Sequence, residues 1–93
     1  MPKKYPPLTP QEVITILKKR GLRFDTQEGS HEQYEGTIKG KQRKVTVDTA
    51  EKEFDNFLIQ SMIRQSGLSR KEFYCSTKST AAKINKKLDN KLK

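Results

Sequence analysis

Apolar positions near the start of the chain recur with a helical period: Val13, Ile14, Ile16 and Leu17 fall on one face between Leu8 and Gly21. Thr9 suits an N-cap, Pro10 the first helical position, and Glu12 stands where a capping box needs it. Leu8 and Val13 are spaced as a hydrophobic staple, and Lys18-Lys19-Arg20 precede the stop at Gly21. The period then drops to two. Leu22, Phe24 and Thr26 alternate with Arg23, Asp25 and Gln27. After a turn at Gly29-Ser30, Glu32, Tyr34, Gly36 and Ile38 alternate with His31, Gln33, Glu35, Thr37 and Lys39. A second turn at Gly40-Lys41 leads to Val45 and Val47, which alternate with Lys44, Thr46 and Asp48. Such patterning predicts an antiparallel three-stranded meander with one wet face.

The helical period returns from about Ala50. Phe54, Phe57, Leu58 and Met62 form a broad face and Gly67 supplies the stop. Leu68-Ser69 with Glu72-Phe73 repeats the staple and capping-box pattern, so a short helix begins at Ser69. Beyond Cys75, Ser79 is the expected cap of a final basic helix whose narrow stripe is Ala81, Ile84, Leu88 and Leu92. The resulting α-β-β-β-α order has a single apolar sheet face, which both long helices must cover. The expected fold is therefore α+β, with the architecture of a double-stranded-RNA-binding domain plus an extra C-terminal basic helix. The expected division is a Pro-rich arm at 1–7, a domain at 8–75 and a basic extension at 76–93.

Composition narrows the class. The 93 residues carry a net charge of +9, and Leu, Ile, Val and Phe together number 20, so the core must be small. No large enclosed cofactor pocket is expected. The longest apolar run is Phe57-Leu58-Ile59, too short for a membrane span or a signal-peptide core. A lone cysteine, Cys75, excludes an internal disulfide and fits a reducing, cytoplasmic setting. The charge is uneven. Residues 1–20 carry five basic and one acidic side chain, residues 76–93 six and one, and the 55 residues between them nine of each. A polyanion, nucleic acid foremost, is the expected partner.

Several chemistries lack their residues. One His and one Cys offer no zinc-type ligand set, and there is no phosphate loop or dinucleotide fingerprint. A serine triad is not expected, because Ser30 adjoins His31 and would point to the opposite strand face. His31 itself falls on the wet face by parity, where a Gly-Ser turn enters a strand. A turn there can offer backbone N–H groups to an anion. Imidazole exchanges protons near neutrality, and RNA cleavage needs a base for the 2′-hydroxyl proton and groups that stabilise charge on the phosphate. Lys39, Lys41, Arg43 and Lys44 crowd the second turn and are candidate phosphate contacts.

At this point the residues carry a resemblance. Gln27-Glu28-Gly29-Ser30-His31, after a capped helix ending at Gly21, resembles the HicA family of toxin ribonucleases, the mRNA interferases of HicA–HicB toxin–antitoxin pairs. Val45-Thr46-Val47 resembles the family's third strand, Lys52-Glu53-Phe54 the start of its second helix, and Ile63-Arg64-Gln65-Ser66-Gly67-Leu68-Ser69 with Glu72-Phe73 its end. The likeness spans roughly Leu8 to Phe73. It implies the same double-stranded-RNA-binding-like fold, His31 as the catalytic histidine, and Gly29 and Ser30 as the turn that presents it. It also implies mRNA as substrate, no metal or cofactor, and a HicB-type antitoxin that covers His31. The chain departs from the family pattern at Asp48-Thr49-Ala50, where many members carry a second histidine, at Phe57-Leu58 in place of glycine–threonine, at Thr26 in place of arginine, and in its long tail. The alternative expectation is a non-catalytic RNA-binding module that grips phosphates by charge. A third is an interaction protein whose last helix docks on another chain.

Overall fold

A computed structural model describes residues 5–89. The elements follow in the order α1 (Pro10–Lys19), β1 (Arg23–Glu28), β2 (His31–Ile38), β3 (Lys41–Asp48), α2 (Asn56–Ser66), α3 (Arg70–Tyr74) and α4 (Lys78–Lys83). The three strands form one open antiparallel sheet in the order β1-β2-β3. The fold is α+β and double-stranded-RNA-binding-like, with further short helices at its C-terminal end. No helix among the described residues is long and apolar enough to cross a membrane.

The first helix starts as its sequence demands. The Thr9 hydroxyl accepts the Glu12 amide at 3.2 Å while the Glu12 carboxylate accepts the Thr9 amide at 2.9 Å. Val13, Ile16 and Leu17 are fully buried against the sheet face that carries Tyr34, Val45 and Val47. The register pairs Tyr34 with Val45 and Glu32 with Val47, so those side chains share a face. Glu32 is the polar member of that set, and it accepts the Tyr34 hydroxyl at 2.8 Å. Burial and then Glu32 push the Tyr34 phenol up to about 12. Gly36, on the same face, has no room for a side chain, since a Cβ there would lie 2.7 Å from the Gly21 carbonyl oxygen.

The second hairpin turn lies one residue earlier than the pattern suggested. Ile38 pairs with Lys41, leaving Lys39 and Gly40 as the turn, both with positive φ (54° and 77°). Such a two-residue turn matches the twist of the strands it joins, and that preference overrides the cost to Lys39. In β1 the alternation breaks at a bulge between Phe24 and Thr26. Phe24 pairs with Tyr34 on the core side, but Thr26 pairs with Gln33 on the free face. At the outer edge Phe24 stays 51% exposed, meeting Tyr34 edge-on with ring centroids 5.9 Å apart.

The second helix also starts later than its apolar residues suggest. Asp55 caps it through the Leu58 amide at 3.0 Å. Phe54 precedes it, bridged to Leu8 by a backbone bond of 2.7 Å, and is buried, whereas Phe57 points out at 75% exposure. Lys52-Glu53-Phe54 therefore lead into the helix rather than begin it. The Gln65 side-chain oxygen accepts the amide of Thr46 at 3.1 Å, so α2 shields the edge strand β3.

The last helix is capped by Thr77, not Ser79: the Thr77 hydroxyl accepts the Thr80 amide at 3.2 Å. It ends at Lys83, and Asn85 takes φ 57°. Ala81 and Ile84 join the core, but Leu88 lies beyond the helix, so no continuous stripe forms. Leu92 of that stripe and residues 1–4 of the arm lie outside the described residues. The segment after α4 is tied down at both ends. Lys83 reaches the Glu12 carboxylate at 2.9 Å, and Arg20 bonds the Asp89 carboxylate at 3.0 Å, the Ser76 hydroxyl at 2.8 Å and the Glu72 carbonyl at 2.7 Å.

Candidate functional site

The two hairpins bring together residues that are far apart in the chain. A two-residue turn at Gly29-Ser30 joins β1 to β2, and Gly29 takes φ 61°, which the first corner of such a turn requires. His31 opens β2 on the free face of the sheet, as its parity predicts. Glu28 faces it from β1 and Asp48 from β3. The His31 Nε2 stands 3.7 Å from Asp48 Oδ2, with the imidazole 58% exposed. That separation is too long for a hydrogen bond; it brings charge beside the ring and acts only when the ring is protonated.

Asp48 is held from the other side. Its Oδ1 accepts the Ser30 hydroxyl at 2.8 Å and the Ala50 amide at 3.0 Å. The Ala50 amide first, the Ser30 hydroxyl next and the neighbouring imidazole last hold this carboxyl below the usual aspartate range, against a smaller opposing effect of burial. Asp48 is therefore anionic throughout the neutral range. The Ser30 carbonyl in turn accepts the amide and hydroxyl of Thr49 at 2.8 and 3.1 Å. The start of β2 is thus stapled to the end of β3.

Ser30 departs from its expected orientation, because its side chain reaches the carboxylate beside His31 rather than the opposite face. The three residues still make no serine triad. The aspartate lies between the other two, and Ser30 donates to it instead of to His31, so nothing activates the hydroxyl as a nucleophile.

A groove of about 190 Å³ runs from His31 along the seam of β3 and α2. Phe54, Leu58 and Met62 form its apolar side, while Thr46, Ser61 and Gln65 supply polar atoms. An apolar slot with a few polar groups beside one proton-carrying ring suits a flat, partly polar ligand. Among the described residues no three His, Cys, Asp or Glu side chains are grouped so as to hold a metal ion.

Lys39, Lys41 and Arg43 lie toward the far end of the same hairpin, and Lys44, opposite Glu35, lies about midway along it. Ile38 lies seven positions along β2 from His31, about 23 Å at the rise of an antiparallel strand. Nor do they form one cluster. Lys39 Nζ pairs with Glu72 at 2.7 Å, and Lys44 pairs with Asp25 at 3.3 Å on the free face. Arg43 donates to the Ile38 carbonyl at 3.3 Å and packs over the end of α2, where a Cβ on Gly67 would strike its guanidinium. Lys41 is exposed at the start of β3.

The residue that sequence reasoning missed is Asp48. Its signal was present: two-residue turns at both hairpins fix the register, and in that register position 48 faces position 31.

A family model described as "HicA toxin of bacterial toxin-antitoxin" matches residues 10–68, more than half of the chain. No curated protein and no solved structure matches the chain.

Proposed function

The chain belongs to the HicA toxin family of bacterial toxin–antitoxin systems, a class paired with a cognate antitoxin, and from that premise we propose that it is an endoribonuclease that cuts mRNA without a metal, with His31 as its catalytic residue. The observation that supports this reading is the placement of an exposed imidazole on the free sheet face, beside an anchored anionic carboxylate and at the mouth of a groove. His31 takes the proton of a ribose 2′-hydroxyl. The 2′-oxygen forms a bond to phosphorus as the bond to the 5′-oxygen breaks, leaving a 2′,3′-cyclic phosphate and a 5′-hydroxyl. One imidazole cannot supply both proton transfers in a single step, so the leaving oxygen takes its proton from water or from a lysine. Asp48 attracts the positive charge that His31 acquires. Gly29 and Ser30 form the turn that presents His31, and Lys39, Lys41, Arg43 and Lys44 contact RNA phosphates away from the cut. A HicB-type antitoxin covers His31 when the toxin is silent, and the pair works in the cytoplasm. The catalytic unit spans residues 8–75, with 76–93 as an extension.

A second reading is favoured by the pair of carboxylates, Glu28 and Asp48, that flank His31 and repel a phosphate. In it the protein is a basic RNA-binding module with no chemistry. Incubation with end-labelled RNA in EDTA separates the two. Cleavage that persists in EDTA and stops when the target nucleotide carries a 2′-deoxyribose supports the nuclease. Salt-sensitive binding without cleavage supports the module.

A further inference from the structure

The segment after α4 runs beside α1, tethered by Lys83 to Glu12 at the start of that helix and by Asp89 to Arg20 just past its end. The Asp89 amide also donates to the Cys75 carbonyl at 2.9 Å, which sets the segment against α3. Between them lies an open groove of about 480 Å³ lined by Lys71 and Glu72 of α3 and by Lys86, Lys87 and Asp89.

Its two carboxylates are already matched by cations from other elements. Glu72 holds Lys39 at 2.7 Å and Asp89 holds Arg20 at 3.0 Å. Lys71, Lys86 and Lys87 are exposed and, among the described residues, none of the three makes an ion pair. Three uncompensated positive charges therefore line one groove. The Lys39–Glu72 bond also fastens the tip of the β2–β3 hairpin to the groove wall, and the other end of that hairpin carries His31.

Resting on the ribonuclease reading, we propose that this groove anchors the phosphate backbone of the RNA substrate, with Lys71, Lys86 and Lys87 as the contacts, at a distance from the scissile bond. Lysine ammonium groups are point charges that track a backbone without reading bases. The anchor is therefore independent of sequence and acts only on RNA long enough to span the hairpin, about 23 Å. All three lysines fall after residue 68, where the family match ends, so this grip belongs to the chain's own C-terminal part.

The test uses the full chain carrying His31→Ala, so that RNA stays intact, and measures binding of a single-stranded transcript against salt. Replacing Lys71, Lys86 and Lys87 together by Gln is expected to weaken binding roughly tenfold or more at low salt and to lower the salt slope by about 2. A matched triple change at Lys18, Lys52 and Lys78 is expected to lower both far less. Equal effects from the two triples would show a response to net charge alone and overturn the proposal, as would loss of antitoxin binding with RNA binding intact. With His31 restored, the groove variant is expected to cut a long transcript more slowly and a dinucleotide at the unchanged rate. If the wild type cuts nothing, the nuclease reading fails while the binding comparison still decides the anchor.

Discussion

Arg20 is the side chain whose loss the fold should feel most. It stands just after α1, its side chain is only 9% exposed, and its guanidinium makes three bonds to groups that follow residue 70. Arg20→Met keeps an apolar stem of similar size but removes the guanidinium and every donor. The Ser76 hydroxyl, in a fully buried residue, loses a partner at 2.8 Å, and Asp89 loses its guanidinium. Hydrogen bonds to charged groups are each worth roughly 1.5–3 kcal/mol, and three on one side chain do not add in full. The Glu72 carbonyl keeps the Ser76 hydroxyl as a donor and Asp89 is 20% exposed, so the expected loss is about 3 kcal/mol. For a domain of this size that lowers Tm by roughly 10–20 °C. Urea unfolding followed by circular dichroism measures it as a fall in midpoint with the slope preserved. Arg20→Lys, which retains charge without the planar fork, should recover only part. A loss below about 0.5 kcal/mol for Arg20→Met would refute the view that this guanidinium ties the C-terminal segment to the domain.

Other consequences follow from the same contacts. Gly36→Ala puts a Cβ against the Gly21 carbonyl oxygen and should cost about 1–3 kcal/mol in a urea melt, because backbone rather than a movable side chain is struck. Acid should destabilise the fold. The Lys39 ammonium first and the Ser69 amide next hold Glu72 down at about 2, and Glu12 and Asp48 also lie below their ordinary values. Folded-state values below the unfolded ones mean that this stabilisation is complete above about pH 5 and is lost as pH falls towards 2. After screening, Glu72 should account for about 1 kcal/mol of it, and Lys39→Met should flatten that limb of the stability profile. Asp48→Asn keeps an acceptor for Ser30 and Ala50 but removes the charge facing His31. RNA cleavage should fall roughly tenfold while Tm changes little.

Local chemistry was the most legible part of the sequence. The capping boxes at Thr9–Glu12 and Ser69–Glu72 appear as read, because a cap depends on residues only three apart. The face of His31 followed from strand parity. The failures occur where a longer-range contact decides. Phe54 has the spacing of a helical residue but is drawn into a bridge with Leu8, and Phe57 has no neighbour to cover it. Ser79 and Thr77 are both good caps. Thr77 prevails because the Thr80 hydroxyl it bonds is fixed in turn to the Tyr74 carbonyl. At the candidate site, His31 and its turn were readable, whereas the closeness of Asp48 required the register of two hairpins at once. The turn cations look like one cluster in the chain, yet alternating strand faces and separate partners divide them.

The most direct test of the central claim is the single-turnover cleavage of saturating RNA in EDTA by the purified wild type and by His31→Ala. Circular dichroism should give both the same fold, since the imidazole is mostly exposed. The nuclease reading predicts that the variant's rate falls by roughly 10²–10⁴ while RNA binding is kept. A rate within about threefold of the wild type, well short of the effect of losing a general base, would contradict it.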